Sequence, residues 1–151
     1  MIGSGLVHIL VIEDNPADVY LLRKALVAAK INFELTVIDD GAEALEFISR
    51  YGNCPETPQP DLVVLDLNLT SNGGIEVLEA LRRREGLSSV PVAVVTSSSA
   101  AVEQAQAESL RVERFITKPP DLDAFLQIGM VLREMLSERV RTGPRSVSSA
   151  K

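Results

Sequence analysis

Apolar runs in this sequence are followed by side chains that could share one chemical site. These side chains are the acidic pair Glu13 and Asp14, then Asp66, Thr96 and Lys118. Three carboxylates held close together repel one another, so such a cluster needs a proton, a metal ion or a lysine. Carboxylate oxygens with open water positions suit Mg²⁺ or Mn²⁺. The residues therefore predict a divalent-metal site with a fixed positive charge beside it.

The segments that must position these residues alternate between strand and helix patterns. Short apolar runs rich in β-branched residues predict strands at 6–12, 33–38, 62–65, 92–95 and 114–117. Helical spacing of apolar residues predicts helices over 16–29, 41–51, 75–84, 100–110 and 121–136. This alternation requires crossover connections, which predicts an α/β fold with a five-stranded parallel sheet flanked by five helices. Because ligands bind at the carboxyl ends of such strands, the reactive side chains are expected in one cleft.

Composition narrows the class of protein. The 151 residues include 21 Asp+Glu against 15 Lys+Arg, a net charge of -6, which argues against direct nucleic-acid binding. The apolar runs fall far short of the ~20 residues that a membrane helix needs, so we expect no membrane insertion and a cytoplasmic location. His8 and Cys54 are the single residues of their types, which argues against a disulfide or a zinc cluster.

The motifs as a set resemble the receiver domain of two-component response regulators. They are Glu13-Asp14, Asp66 within VVLDLNL, Thr96 within VVTS, and Lys118-Pro119 within FITKP. The resemblance spans residues 6–136 and implies a flavodoxin-like, doubly wound (βα)5 fold. The stretches EDNPADVYLLRKAL, DLNL and FITKP are also similar to single-domain receivers that partner bacterial phytochrome-type histidine kinases.

The resemblance implies a phosphoacceptor and its metal ligands. Asp66 would take a phosphoryl group from a phosphohistidine on a sensor histidine kinase and form an acyl phosphate. Asp14 and Asp66 would bind Mg²⁺, or Mn²⁺, directly, and Glu13 would assist through water. The backbone carbonyl of Asn68 would be a further ligand.

The resemblance also implies groups that bind and report the phosphoryl group. Lys118 would pair with one phosphoryl oxygen, and the Thr96 hydroxyl would hydrogen-bond to another. Thr96 and Phe115 would form a switch in which the ring turns inward as the threonine moves. A cis peptide bond between Lys118 and Pro119 would aim the lysine.

The carboxyl-terminal part of the chain suggests an oligomer and a tail. Apolar residues spread around most of the helix predicted over 121–136, more than one buried face requires. We expect a homodimer through this last helix. Residues 137–151 hold four basic residues and one acidic residue, and we expect a disordered basic tail without an effector domain. Output would then pass through protein contacts or a change in dimerisation.

Two other functions are weighed against the switch. A degenerate receiver would act as a constitutive interaction module without phosphate. The stretch Asp66-Leu67-Asn68-Leu69-Thr70 is similar to the nucleophile motif of haloacid-dehalogenase-like phosphatases, but Asn68 stands where that chemistry needs a second carboxylate. We therefore expect that the chain is not an enzyme.

Three other features of the sequence are expected to have structural rather than functional roles. Arg82, Arg83 and Arg84 end a predicted helix and are expected to be solvated cations that complement its dipole. His8 is expected to pack within or beside the first strand, and Cys54 to be a surface thiol.

Overall fold

The computed structural model describes residues 5–53, 57–69, 73–97 and 100–142. Cys54 and residues 143–151 of the predicted tail lie outside the described residues. Among the described residues, no helix combines the length and the apolar character needed to span a membrane.

A five-stranded parallel sheet forms the centre of the structure. Its strands are β1 (Val7–Ile12), β2 (Phe33–Ile38), β3 (Leu62–Leu65), β4 (Val92–Thr96) and β5 (Arg114–Thr117), in the order β2-β1-β3-β4-β5. The chain runs outward to β2 on one side of β1 and to the remaining strands on the other. The carboxyl ends of β1 and β3 therefore meet at the topological switch point, where ligands bind in such sheets. β3 is buried along its whole length, as its unbroken apolar sequence predicts.

Helices cover both faces of this sheet. They are α1 (Pro16–Ala28), α2 (Gly41–Arg50), α3 (Gly74–Arg83), α4 (Ala101–Ser109), α5 (Leu122–Leu126) and α6 (Ile128–Thr142). One core cluster packs α1, α5 and α6 against the sheet, and the other packs α2, α3 and α4 against the opposite face. The predicted α/β fold is confirmed, with the fifth predicted helix divided at Gln127 into α5 and α6.

The sequence explains why α1 begins directly after β1. Asn15 has an extended backbone, and its side chain accepts a hydrogen bond from the Ala17 N–H at 3.0 Å. Pro16 follows as the first helical residue, where its missing N–H costs nothing. The turn between strand and helix is therefore short, and the acidic residues just before Asn15 stay at the sheet edge.

The last helix packs closely against α1 through a glycine. A Cβ placed on Gly129 would lie 2.1 Å from the backbone oxygen of Ala25, far inside any normal contact. Only a residue without a side chain fits at this point of α6. The closeness of the two backbones places much of the apolar surface of α6 in the core of the same chain.

The predicted end of the last helix at Leu136 is wrong, because α6 continues to Thr142. Arg139 is buried and donates a hydrogen bond to the backbone carbonyl of Asp61, just before β3, at 3.0 Å. This contact joins residues 78 positions apart in the sequence. The local excess of basic residues does not predict this contact. Because α6 includes residues 137–142, these residues are part of a helix rather than of a tail.

The expected solvation of Arg82 is also wrong. Its side chain is only 5 % exposed, and it donates hydrogen bonds to four backbone carbonyls. These belong to Ser88 at 3.1 Å, Val90 at 2.9 Å, Leu110 at 2.9 Å and Arg111 at 2.8 Å. The planar guanidinium carries five donors and can bind several acceptors at once. Arg82 thus ties the α3–β4 loop to the α4–β5 loop.

We expect Arg82→Met to lower the free energy of unfolding by about 3 kcal/mol, because it removes the charged donor of four backbone carbonyls, three of them in partly buried hydrogen bonds. Urea denaturation monitored by circular dichroism measures the change. Arg83→Met is the matched control, since Arg83 is 77 % exposed and contacts Glu79 at 3.8 Å. The control should lose less than about 0.5 kcal/mol. Equal losses in the two variants would contradict the role of Arg82.

Candidate functional site

Backbone hydrogen bonds extend the sheet by one residue at the ends of β1 and β3. The Glu13 N–H donates to the Ile38 carbonyl at 3.0 Å, and the Asp66 N–H donates to the Ile12 carbonyl at 3.0 Å. Each acidic residue is therefore fixed by the ladder itself and not by a loose turn. This fixed backbone holds the two carboxylates at the switch point of the sheet.

Three carboxylates converge at this position. One oxygen each from Glu13, Asp14 and Asp66 lies within 4.8 Å of the other two. Glu13 and Asp66 are buried, while Asp14 is half-buried at the opening. An all-oxygen donor set with one open side fits Mg²⁺ or Mn²⁺, which keep several water ligands. The three predicted metal ligands thus lie together.

Asn68, the fourth predicted ligand residue, lies beside Asp66. Its backbone N–H donates to Asp66 Oδ1 at 3.0 Å. Its side-chain amide donates to Ser97 Oγ at 3.0 Å and so connects the loop after β3 with the residue after β4. These bonds hold the Asp66 carboxylate in one orientation and place Asn68 at the rim of the site.

Lys118 supplies the positive charge that the carboxylates need. Its Nζ lies 2.8 Å from Glu13 Oε1, 2.6 Å from Asp18 Oδ2 and 3.1 Å from Asp66 Oδ2. The lysine backbone N–H donates to the Thr96 carbonyl at 2.7 Å, which continues the β4–β5 ladder past β5. The expected cis bond to Pro119 is wrong, because no peptide bond among the described residues is cis. Trans is the favoured form of such bonds, and Lys118 reaches all three carboxylates with it.

The sequence pattern does not identify Asp18 as a residue of the site, because the helix dipole is enough to explain an acidic residue in the first turn of α1. Its position in the first helical turn, four residues after Asp14, was the available signal, since that turn stands beside the end of β1. The helix dipole accounts for the residue type but not for the ion pair with Lys118.

Burial and charge shift the pKa values of the clustered groups in opposite directions. Burial and the neighbouring Asp66 charge raise the pKa of Glu13 to about 7, although a hydrogen bond from Lys118 opposes the shift. Burial alone would raise the pKa of Asp66, but the Asn68 N–H, Glu13 and Lys118 together hold it below its ordinary value. Burial would lower the pKa of Lys118, yet its hydrogen bonds to Asp18 and Glu13 raise it instead. At neutral pH the site therefore contains an ionised Asp66 and a charged Lys118.

We expect metal-free protein to lose stability as pH rises from about 4.5 to about 7, because Glu13 has a raised pKa when folded. A carboxyl group of this kind stabilises the fold below its unfolded pKa, and that contribution is lost as pH passes the folded value. Glu13→Gln should remove this part of the pH dependence and, at pH 8 in a chelator, gain on the order of 2 kcal/mol. Thermal unfolding across the pH range measures both effects. A Glu13→Gln variant whose pH dependence matches wild type would contradict the assignment.

The two predicted switch residues lie on neighbouring strands. Thr96 is fully buried at the end of β4, and Phe115 in β5 is half-buried and aligned with Val94. Because side chains alternate along a strand, Val94 and Thr96 share a face, and Phe115 lies diagonally beside Thr96 on that face. The same face is covered by α3 and α4. The register thus makes the two residues neighbours.

Comparison with known proteins assigns the class. The chain matches the response regulator receiver domain over residues 9–128, and it therefore belongs to this family. A curated relative is the response regulator Rcp1 of Synechocystis sp., 34% identical over 114 residues that cover 76% of this chain and 78% of the relative.

Solved structures agree with this assignment. The phosphorylated cyanobacterial phytochrome response regulator RcpA superposes with a TM-score of 0.78 at 31% identity, covering 87% of this chain and 94% of that one. The Mn²⁺-bound form of Rcp1 gives a TM-score of 0.73 at 32% identity, covering 82% and 88% of the two chains. The predicted resemblance to receiver domains, including those related to phytochrome signalling, is confirmed.

Proposed function

We propose that this chain is a phosphorylation switch in which Asp66 accepts a phosphoryl group from a phosphohistidine on a sensor histidine kinase. The observation that carries the proposal is the Asp66 carboxylate itself. It is 4 % exposed, oriented by the Asn68 N–H, and in contact with the Lys118 ammonium at 3.1 Å. Its lowered pKa keeps it ionised and therefore nucleophilic.

The chain's own residues supply most of the transfer. An Asp66 oxygen forms the new P–O bond as the P–N bond to the kinase imidazole breaks, and the imidazole leaves with a proton from solvent. Lys118 and the Thr96 hydroxyl donate hydrogen bonds to phosphoryl oxygens. Glu13, Asp14, Asp66 and the Asn68 carbonyl would hold Mg²⁺ or Mn²⁺. The metal supplies charge that offsets the phosphoryl oxygens during in-line transfer.

The geometry also favours this function over the alternatives. A degenerate receiver would lack the acceptor or the lysine, whereas here Asp66 and Lys118 are in contact. A haloacid-dehalogenase-like phosphatase would need an acid-base carboxylate at position 68, where an asparagine bonds to Ser97 instead. We propose a signalling role in the cytoplasm without enzymatic turnover of a separate substrate.

The test is chemical phosphorylation of the purified chain with phosphoramidate. In Mg²⁺ the mass should rise by one phosphoryl group, and the adduct should be stable in acid and labile in base. The same incubation with a chelator in place of Mg²⁺ should give no adduct. Wild-type protein that stays unmodified in Mg²⁺ would end the proposal.

The proposed partner is a phytochrome-type sensor histidine kinase. The support is the likeness to RcpA, which is described as a cyanobacterial phytochrome response regulator. Such a kinase, autophosphorylated with labelled phosphate, should pass its label to this chain faster than histidine kinases with other sensor domains do.

Thr96 and Phe115 would respond to phosphorylation by moving together on their shared sheet face.

A homodimer through the last helix is proposed as the second contact. Five apolar side chains of the α5–α6 segment are buried within the chain, namely Phe125, Ile128, Leu132, Met135 and Leu136. Leu122 at 54% exposure and Met130 at 49% remain on its surface and support the contact. Light scattering should give twice the chain mass for wild type and a smaller mass for Met130→Glu. A monomer mass for wild type, with and without phosphoramidate, would contradict the dimer.

A further inference from the structure

Gly74 begins α3 directly against the peptide unit of the proposed phosphoacceptor. A Cβ placed on Gly74 would lie 2.8 Å from the backbone oxygen of Asp66 and 2.4 Å from the Cα of Leu67. Both are backbone atoms, so no rotation of a side chain could make room for it. The Gly74 N–H donates to the Leu67 carbonyl at 3.2 Å, which fastens the start of the helix to the same residue. Only a glycine therefore allows this contact between α3 and the residues after β3.

The elements on both sides of this contact are held in place. The Asp66 N–H is bonded to β1, and the Asp66 carboxylate contacts Lys118. Three fully buried side chains hold α3 in the core, those of Val77, Leu78 and Leu81. A side chain at position 74 would therefore displace the residues that directly follow Asp66, because these lie between the two fixed elements.

Asn68 is the residue that such a displacement would reach first. It follows Leu67 directly, and its backbone carbonyl is one of the proposed metal ligands. Its N–H donates to Asp66 Oδ1 at 3.0 Å, so a shifted Asn68 would also disturb the orientation of the acceptor carboxylate. The contact at Gly74 thus bears on two ligand groups of the metal site, although Gly74 is not a ligand itself.

We propose that Gly74 is a positioning residue that makes the site selective for Mg²⁺ over Ca²⁺. The inference rests on the proposed function, because it takes Asp66 and the Asn68 carbonyl as metal ligands. Mg²⁺ requires a nearly ideal octahedron of short bonds, whereas Ca²⁺ accepts longer and less regular contacts. A carbonyl that a close backbone contact holds in place suits the smaller ion, and a displaced carbonyl removes that advantage.

The test measures the binding of Mg²⁺ and of Ca²⁺ to wild type and to Gly74→Ala by isothermal titration calorimetry. Mg²⁺ should bind the variant roughly tenfold more weakly, the scale expected when a residue that supports a metal ligand is changed. The affinity for Ca²⁺ should fall by less than about threefold, because its ligand geometry adapts. A merely structural role would weaken the binding of both ions by one factor. Equal losses, or no loss, would overturn the inference.

Gly73→Ala is the matched control. Gly73 precedes α3 with an extended backbone, and a Cβ there would meet nothing within 4 Å among the described residues. The variant makes the same substitution one residue away from the close contact, so both affinities should stay within about twofold of wild type. A control that loses its preference for Mg²⁺ as Gly74→Ala does would assign the effect to loop stiffness and overturn the inference.

Hydrogen exchange on wild type tests the inference without a variant, should Gly74→Ala fail to fold. The Gly74 N–H is bonded to the Leu67 carbonyl, one residue before the Asn68 carbonyl that would bind the metal. Saturating Mg²⁺ should therefore slow exchange of this amide roughly fivefold, and saturating Ca²⁺ should slow it less. A Gly74 amide that responds to neither ion, or equally to both, would overturn the inference.

The outcomes separate this inference from the proposed function. Wild type that phosphoramidate does not label in Mg²⁺ would overturn both. Wild type that is labelled, with a Gly74→Ala variant that keeps the wild-type preference for Mg²⁺ over Ca²⁺, would overturn the role of Gly74 alone.

Discussion

Asp66→Asn should reduce the phosphoryl adduct formed with phosphoramidate to background. The amide keeps the size of the side chain and can still accept from the Asn68 N–H, which lies 3.0 Å from Asp66 Oδ1. It removes the ionised oxygen that attacks phosphorus, so at least about a hundredfold of the labelling rate should be lost, a scale typical of losing a nucleophile. Intact-mass spectrometry over a time course measures the loss.

Neighbouring carboxylates provide the control for this result. Asp39 is an exposed aspartate just after β2 that lines a surface cavity together with Glu13 and Asp14. Asp39→Asn should label at nearly the wild-type rate. Circular dichroism of the Asp66→Asn variant establishes that it is folded. Labelling that persists in folded Asp66→Asn would place the acceptor elsewhere.

Lys118→Met should lower the free energy of unfolding by about 3 kcal/mol at neutral pH without metal, because breaking a buried ion pair strands its partners. The side chain of Lys118 is 11% exposed and offsets the charge of three carboxylates, so its loss leaves them in mutual repulsion. The pKa values of Glu13 and Asp66 should then rise, because Lys118 lowers both in the wild type. Groups with raised pKa values stabilise the fold when protonated, so the deficit should shrink as pH falls toward 5.

Added metal should distinguish this mechanism from simple loss of packing. Mg²⁺ should restore more stability to Lys118→Met than it adds to wild type, since the divalent ion replaces the missing charge. Lys24→Met is the control, because Lys24 is exposed on α1 with its Nζ 5.5 Å from the centre of the Tyr20 ring. That control should change by less than about 1 kcal/mol at any pH. A Lys118→Met deficit that neither acid nor Mg²⁺ reduces would contradict the electrostatic account.

Much of the fold and of the site follows from local sequence pattern. The apolar runs that form β1 and β3 are short and end abruptly in acidic residues, and a parallel sheet gathers such ends at one edge. The pattern correctly predicts that Glu13, Asp14 and Asp66 lie together with Lys118. It succeeds because the ladder hydrogen bonds continue past both strands and leave these residues little freedom.

The sequence pattern does not predict the contacts that charged side chains make with other elements and loops. Arg82, Arg139 and Asp18 each have a local explanation, as a helix-end cation, a basic tail residue and a helix-start acid. Their actual partners lie between 6 and 100 positions away in sequence. Periodicity and composition report which face of an element is apolar, but not which distant carbonyl or ammonium a long side chain reaches. Such partners emerge only when the elements pack.

The contact between α1 and α6 also bears on how this chain can change in evolution. A Cβ at position 129 would lie 2.1 Å from the Ala25 backbone oxygen, so a substitution of Gly129 requires other changes between the two helices. The two helices must first separate, through larger residues elsewhere along their interface. A relative with a side chain at position 129 should therefore hold its last helix farther from the first. Gly129 thus permits the close spacing between α1, which carries Asp18, and α6, which carries Met130.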